Sequence, residues 1–125
     1  MTPLYFGGLG LRANATLPAV EELLTRAAMR PPLTLPLRLQ DHPLIPALAE
    51  VVHLSFVDEG LLRGVPTLTQ SPRIKERFGT GSLSEALALL ASSGPARLIG
   101  PRLISSDRSA ALAIATLLPP SKDMR

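Results

Sequence analysis

Three short segments carry residue types and spacings that could do chemistry. The first is Gly8-Leu9-Gly10-Leu11-Arg12-Ala13, which satisfies the G-x-G-x-x-G/A pattern of dinucleotide-binding turns. Small residues there let backbone amides approach an anion at the start of the following helix, with Arg12 and Asn14 beside it. The nucleotide reading lacks two parts. The helix signal begins only near Leu17, and no acidic residue ends the second strand, since Asp41 lies 28 residues beyond Ala13. An anion-accepting turn and a purely steric turn, in which glycine lets the chain pass closely, both remain open. The second segment, Arg102 to Ser109, places Ser105, Ser106, Asp107 and Arg108 in a loop between two apolar runs. The third, Thr80-Gly81-Ser82, offers hydroxyls and amides at a helix start, which can hold a carboxylate or simply cap the helix.

Other chemistries find little material. The chain has no cysteine, which removes disulfides, thiolate metal sites and thiol nucleophiles, and only His42 and His53 could supply imidazole. No metal site and no cofactor are expected. There is no G-x-S-x-G elbow for a Ser–His–Asp hydrolase. Paired carboxylates occur only as sequence neighbours, Glu21-Glu22 and Asp58-Glu59, which point in different directions on a helix. Four aromatic residues are too few for a stacking platform, and the charge of +3 is scattered rather than gathered in an arm, so nucleic acid is not expected as a partner. Eleven of the thirteen basic residues are arginine, whose planar fork suits carboxylate and phosphate. The longest apolar run, Ala110–Leu118, has strand length and stops at Pro119-Pro120, far short of a membrane span. Met1-Thr2-Pro3-Leu4 carries no basic region ahead of an apolar core, so a cytoplasmic location is expected.

The elements that must position these residues follow from periodicity and punctuation. Leu4–Leu9 reads as a strand running into the glycines. Val20, Leu23, Leu24 and Ala27 form the stripe of an amphipathic helix that opens at Thr16 and Pro18 and stops at Pro31-Pro32. Leu33–Leu39 alternates like a strand, with Pro36 marking an edge or irregular position. Asp41 is predicted to cap a helix carrying Leu44, Leu48, Val51 and Val52; His53–Val57 is a further strand, and Asp58-Glu59-Gly60 opens a helical turn. Ser71-Pro72 starts a helix that Gly79 ends. Ser82-Leu83-Ser84-Glu85 fits a reciprocal capping box ahead of a helix that Gly94-Pro95 ends. Arg97–Ile104 and Ala110–Leu118 are two strands close enough to form an antiparallel hairpin. The order predicts a single three-layer α/β/α domain over residues 1–120, with a mixed sheet of about five strands ending in that hairpin, and a loose tail over 121–125.

Several of these segments together resemble one family. Gly8, Gly10 and Arg12 match a G-I-G-C-R start, and Gly79, Thr80, Ser82, Glu85 and Ala86 match a G-T-x-S-V-A-E-A helix opening. Val65-Pro66 through Ser71-Pro72 is similar to a V-P-x-P-S segment. Pro101-Arg102-Leu103-Ile104-Ser105-Ser106 and Leu112-Ala113-Ile114-Ala115 are similar to a P-K-x-K-x-G loop and a T-V-A-I-A strand. On these residues the chain resembles the CobE/CbiG C-terminal family of cobalamin biosynthesis from about Leu4 to Leu117. It departs at Leu11, where the family usually has cysteine, at Ile104 and Ser106 in the late motif, and at Asp41-His42-Pro43-Leu44, where the family has an acidic stretch. The resemblance implies an accessory or intermediate-binding role in corrin-ring formation, with a precorrin or corrinoid, a polycarboxylate tetrapyrrole, as ligand. It also implies other enzymes of the pathway as partners. The alternative is a hydrolase opening the lactone ring of a precorrin, as the CbiG-like relative does. Gly8, Gly10, Arg12, Asn14, Thr80, Ser82, Arg102, Ser105 and Ser106 are the expected ligand-binding residues, and no catalytic residue is assigned.

Overall fold

The structure, a computed structural model, describes residues 4–118. In chain order the elements are β1 (Tyr5–Leu11), α1 (Leu17–Ala27), β2 (Leu33–Pro36), α2 (Ile45–Ala49), β3 (Leu54–Val57), α3 (Pro72–Phe78), α4 (Leu83–Ala91), β4 (Ala96–Leu98), β5 (Leu103–Ile104) and β6 (Ala110–Leu117). Single 3₁₀ turns lie at Leu37–Leu39 and Glu59–Leu62. The six strands make one mixed sheet in the order β3-β2-β1-β6-β4, with β5 also paired to β6. β1, β2 and β3 are parallel, whereas β6 runs antiparallel to β1 from Tyr5 opposite Thr116 to Leu11 opposite Ala110.

The sheet is covered differently on its two faces, and the strand alternation explains why. Leu9 and Leu11 of β1 and Leu112 and Ile114 of β6 bury against Val20, Leu23 and Leu24 of α1 and Leu48 of α2. Apart from Phe6 and Leu117 at the far end, the alternate positions of β1 and β6 are small. Ala113 and Ala115 of β6 lie beneath Ala88 of α4. A Cβ on Gly8 would land on the carbonyl oxygen of Ser84 and 2.6 Å from the amide nitrogen of Ala88. With side chains of period two, one face therefore carries large aliphatics and the other glycine and alanine, and α4 settles with its backbone directly on the sheet. α3 packs beside it through Ile74 and Phe78.

Four expectations need correction. The predicted strand Arg97–Ile104 is split into β4 and β5. Leu98 faces Ala115 and Leu103 faces Leu112, so four residues span what Ala113 and Ile114 span on β6. Gly100-Pro101 occupies that bulge, where proline lacks an amide for the ladder. The strand at Leu33 ends at Pro36, beyond the Leu33 and Thr34 positions that pair with β1, and the chain turns into 3₁₀ geometry. Asp41 caps nothing; α2 begins at Ile45 with Leu44 as its cap residue. His42 supplies the acceptor instead, since its buried Nδ1 receives the Leu44 amide at 3.0 Å. The capping box is half formed: the Ser82 hydroxyl accepts the Glu85 amide, but the Glu85 carboxylate does not return to Ser82. The tail expected from Ser121 lies outside the described residues. No helix among the described residues is long and apolar enough to cross a membrane.

Candidate functional site

The C-terminal end of β1, the start of β6, α3 and the start of α4 surround a cleft of about 550 Å³. Open α/β sheets place ligand sites at this end of the parallel strands. The rim of the cleft is fixed by main-chain bonds. The Arg12 amide donates to the Ser109 carbonyl at 2.8 Å, which carries the β1–β6 ladder past its last pair. The Arg12 carbonyl lies 2.8 Å from Nε2 of His42. Because a backbone amide donates to Nδ1 of that ring, the hydrogen sits on Nε2 and is donated to Arg12.

Leu11, Ile74, Phe78, Leu83 and Ile104 give the cleft apolar walls, and Arg12, Arg38, Arg73, Arg77, Arg102 and Arg108 surround them. Six of the eleven arginines thus line one cavity, and among the described residues no carboxylate or imidazole shares that lining. Arg38 is neutralised in part by Glu59 at 3.1 Å, and the Arg77 guanidinium lies 4.9 Å from the centre of the Phe78 ring. Among the described residues, Arg12, Arg73, Arg77, Arg102 and Arg108 have no ion pair and donate no side-chain hydrogen bond. Arg73 and Arg77 are four residues apart on α3, a like-charge spacing that weakens a helix unless an anion comes between. A concave wall of one sign focuses its field and attracts ligands of the other.

The residues singled out in the sequence separate into two groups. Gly10, Arg12 and Arg102 line the cleft. Gly8 is buried under α4 and Asn14 is exposed outside the cleft. Both glycines lie inside β1, and α1 starts only at Leu17, so the pattern they form is no phosphate cradle at a helix start. Thr80, 1% exposed, donates to the Val65 carbonyl at 2.6 Å, and Ser82 caps α4. In the loop between β5 and β6, Ser105 Oγ donates to Asp107 Oδ1 at 2.8 Å and accepts the amides of Ser109 and Ala110. Ser109 gives both its amide and its hydroxyl to Asp107. These Ser109 bonds, with that of Ser105, hold the Asp107 carboxyl below its ordinary range. Ser106 gives its amide and hydroxyl to Glu22 of α1, and those bonds lower the Glu22 carboxyl likewise. The loop's hydroxyls therefore hold its shape, and what it displays to the cleft is Arg108, held at φ +63°.

Sequence reasoning passed over Arg38, Arg73 and Arg77 as cleft residues, and it named Arg108 in the candidate loop without counting it among the ligand-binding residues. The Arg73/Arg77 spacing was the available signal. It also read Glu85 only as a cap. Glu85 is fully buried, and its carboxylate accepts the amides of Leu68 at 2.7 Å, Thr69 at 2.8 Å and Arg102 at 2.9 Å, together with the Thr69 hydroxyl. Burial opposes its ionisation, but these four donors outweigh burial and hold the carboxyl below its usual range. One buried anion thus ties the start of α4 to the segment before α3 and to the backbone of Arg102.

The family described as "Cobalamin synthesis G C-terminus" matches residues 5–115. Among solved structures, the crystal structure of CobE, a protein from the cobalamin (vitamin B12) biosynthetic pathway, is 26% identical with a TM-score of 0.78, over 95% of this chain and 97% of that one. The cobalamin biosynthesis protein chiG from Agrobacterium tumefaciens is 25% identical with a TM-score of 0.67, over 93% of this chain and all of that one. No curated protein matches the sequence. Fold and family model agree over nearly the whole domain, and the chain belongs to the CbiG C-terminal/CobE family of cobalamin biosynthesis proteins.

Proposed function

We propose that the protein binds a precorrin or later corrinoid in the arginine-lined cleft and serves the pathway as an intermediate-binding protein. The observation that carries this reading is the gathering of six arginines around apolar walls with no carboxylate among them. A corrin intermediate is an apolar-faced macrocycle fringed with carboxylates, and the cleft is its complement in both respects. Leu11, Ile74, Phe78, Leu83 and Ile104 would meet one edge of the ring, and Arg12 and Arg102 would fork onto carboxylates of the fringe. The lining offers guanidiniums, amides and hydroxyls, groups that hold anions rather than remove protons, which favours binding over lactone hydrolysis.

Titrating the purified protein with corrinoid intermediates and following absorbance tests the reading. A saturable spectral change and co-elution are expected, and the absence of both overturns it. Acetaldehyde release from a lactone-bearing precorrin would instead favour the hydrolase. NAD(P) or ATP in excess should leave the melting temperature unchanged, because a true ligand at 100 times its Kd stabilises by about 2.7 kcal/mol.

A further inference from the structure

The Arg12 guanidinium is exposed and lines the cleft without an ion pair among the described residues, so what aims it is the main chain from which it grows. Arg12 is the first residue beyond β1, and α1 starts only at Leu17. Among the described residues, the hydrogen bonds that tie this connection to distant parts of the chain all fall on Arg12. Its amide donates to the Ser109 carbonyl at 2.8 Å, and its carbonyl accepts from Nε2 of His42 at 2.8 Å and from the nearby Ala15 amide at 3.0 Å. Both peptide groups that flank the Arg12 Cα are thereby pinned, and they set the direction in which its side chain leaves. His42 suits this work because it is itself fixed. It is 9% exposed and stands between Leu39 and Leu44 of the core. Its amide donates to the Leu39 carbonyl at 3.0 Å, and its carbonyl accepts the Ile45 amide at 3.0 Å. With Nδ1 accepting the Leu44 amide, every polar atom of the residue is used and one tautomer is imposed.

We infer that His42 is a positioning residue of the cleft: its Nε2–H holds the root of Arg12 so that the guanidinium meets a carboxylate with little reorganisation. The inference rests on the binding reading above, in which Arg12 forks onto a carboxylate of the ligand. His42 is outside the cleft lining, so it acts through Arg12 alone. The ring does two jobs. Nδ1 serves the fold by holding the chain ahead of α2, and Nε2 serves the site.

Two substitutions separate those jobs. In His42→Asn the side-chain oxygen can accept the Leu44 amide in place of Nδ1, as in an Asx turn, while no donor reaches Arg12. In His42→Gln the longer side chain brings an NH₂ to the Arg12 carbonyl, and the bond to Leu44 is lost. The intact proteins are titrated with tricarballylate, a small tricarboxylate, followed by NMR at the Arg12 Nε–H, and with corrinoid, followed by absorbance. His42→Asn should melt closer to the parent than His42→Gln does, yet bind both probes about threefold to fivefold more weakly. His42→Gln should melt lower and bind within about twofold of the parent, and in an Arg12→Ala background His42→Asn should cause no further loss. A merely structural His42 would make affinity follow melting temperature in both variants. That result, parental affinity in His42→Asn, or an undiminished loss in the Arg12→Ala background overturns the positioning role while the binding reading stands. If tricarballylate shows the expected pattern and corrinoid does not bind at all, the positioning role stands and the binding reading falls. If the parent binds neither probe, both fall.

Discussion

Two polar regions lie side by side at the same end of the sheet and differ in what their polar groups touch. In the loop from Ser105 to Ser109, the side chains of Ser105, Ser106, Asp107 and Ser109 all bond within the protein, to one another or to Glu22. Across the adjoining cleft, five guanidiniums have no partner among the described residues. The net worth of a hydrogen bond in folding is small, but an orphaned buried group is expensive. The loop has therefore settled its polar groups for shape. The cleft leaves its own groups open: its free guanidiniums, four of the five exposed, face water that a carboxylate can replace. Substitutions in the first set should cost stability, and substitutions in the second should cost affinity.

The largest effect is expected at Glu85, which belongs to the first set though it adjoins the second. Glu85→Gln puts an amide NH₂ where donors already converge on both oxygens, and should destabilise by about 3 kcal/mol at pH 7. Its folded carboxyl is depressed, so the stabilisation is complete above the ordinary carboxylate range and is lost as pH falls through the lower folded value. Urea unfolding at pH 7 and pH 3 should show the gap between parent and variant closing at the acid end. An equal gap at both would mean that Glu85 is not ionised in the fold.

Next is Ser105, 2% exposed, whose hydroxyl serves two amides and Asp107. Ser105→Ala should cost about 2 kcal/mol of stability through the Ala110 amide it orphans and the hydroxyl it takes from Asp107, while the Ser109 amide keeps Asp107 as acceptor. Corrinoid affinity in the folded fraction should change less than twofold. A tenfold loss of affinity with unchanged stability would reverse the comparison for this loop.

Arg12→Ala and Arg102→Ala should each weaken corrinoid binding about tenfold, or about 1.4 kcal/mol, with the melting temperature unchanged. The anchors at both positions are main-chain: Arg12 through its amide to Ser109 and its carbonyl to His42, Arg102 through its amide to Glu85. Alanine keeps all three. Affinity should also fall with added salt, and less steeply in the variants, since each has one cation fewer facing the ligand. Salt-independent affinity would mean that the arginines do not hold the ligand.

The degree to which the sequence disclosed this arrangement varies with the range of the forces involved. Ser71-Pro72, Gly79 and Ser82 are local punctuation, and the helices begin and end where they say. β6 could be read from its apolar run ahead of Pro119-Pro120, and the family's motifs from their order. The bulge at Gly100-Pro101 and the short β2 ending at Pro36 turn on which ladder positions have partners across the sheet, and no local window contains that. The cleft was legible in part: Gly10, Arg12 and Arg102 come from motif segments, whereas Arg38, on the turn after β2, and Arg73 and Arg77, on α3, converge only in the folded chain. Glu85 was misread because a capping box is a local pattern, and four donors from two distant segments outcompete it.

Gly8 and Gly10 show the same division within one strand, and substitution at Gly10 is the smallest of these effects. The two residues are two apart on β1 and face the same side, so sequence treats them alike. A Cβ at Gly8 meets the α4 backbone, which cannot yield without moving the helix, whereas one at Gly10 meets only the Leu83 methyl at ordinary contact distance. Gly10→Ala should therefore fold with stability within about 0.5 kcal/mol of the parent. Its methyl would stand on the cleft floor beside the start of α4, where it crowds a bound ligand without touching the arginine rim. A threefold loss of corrinoid affinity is expected, with the salt dependence unaltered. Should the salt dependence flatten as well, the methyl would be disturbing the rim, and the floor and rim of the cleft would not be separable.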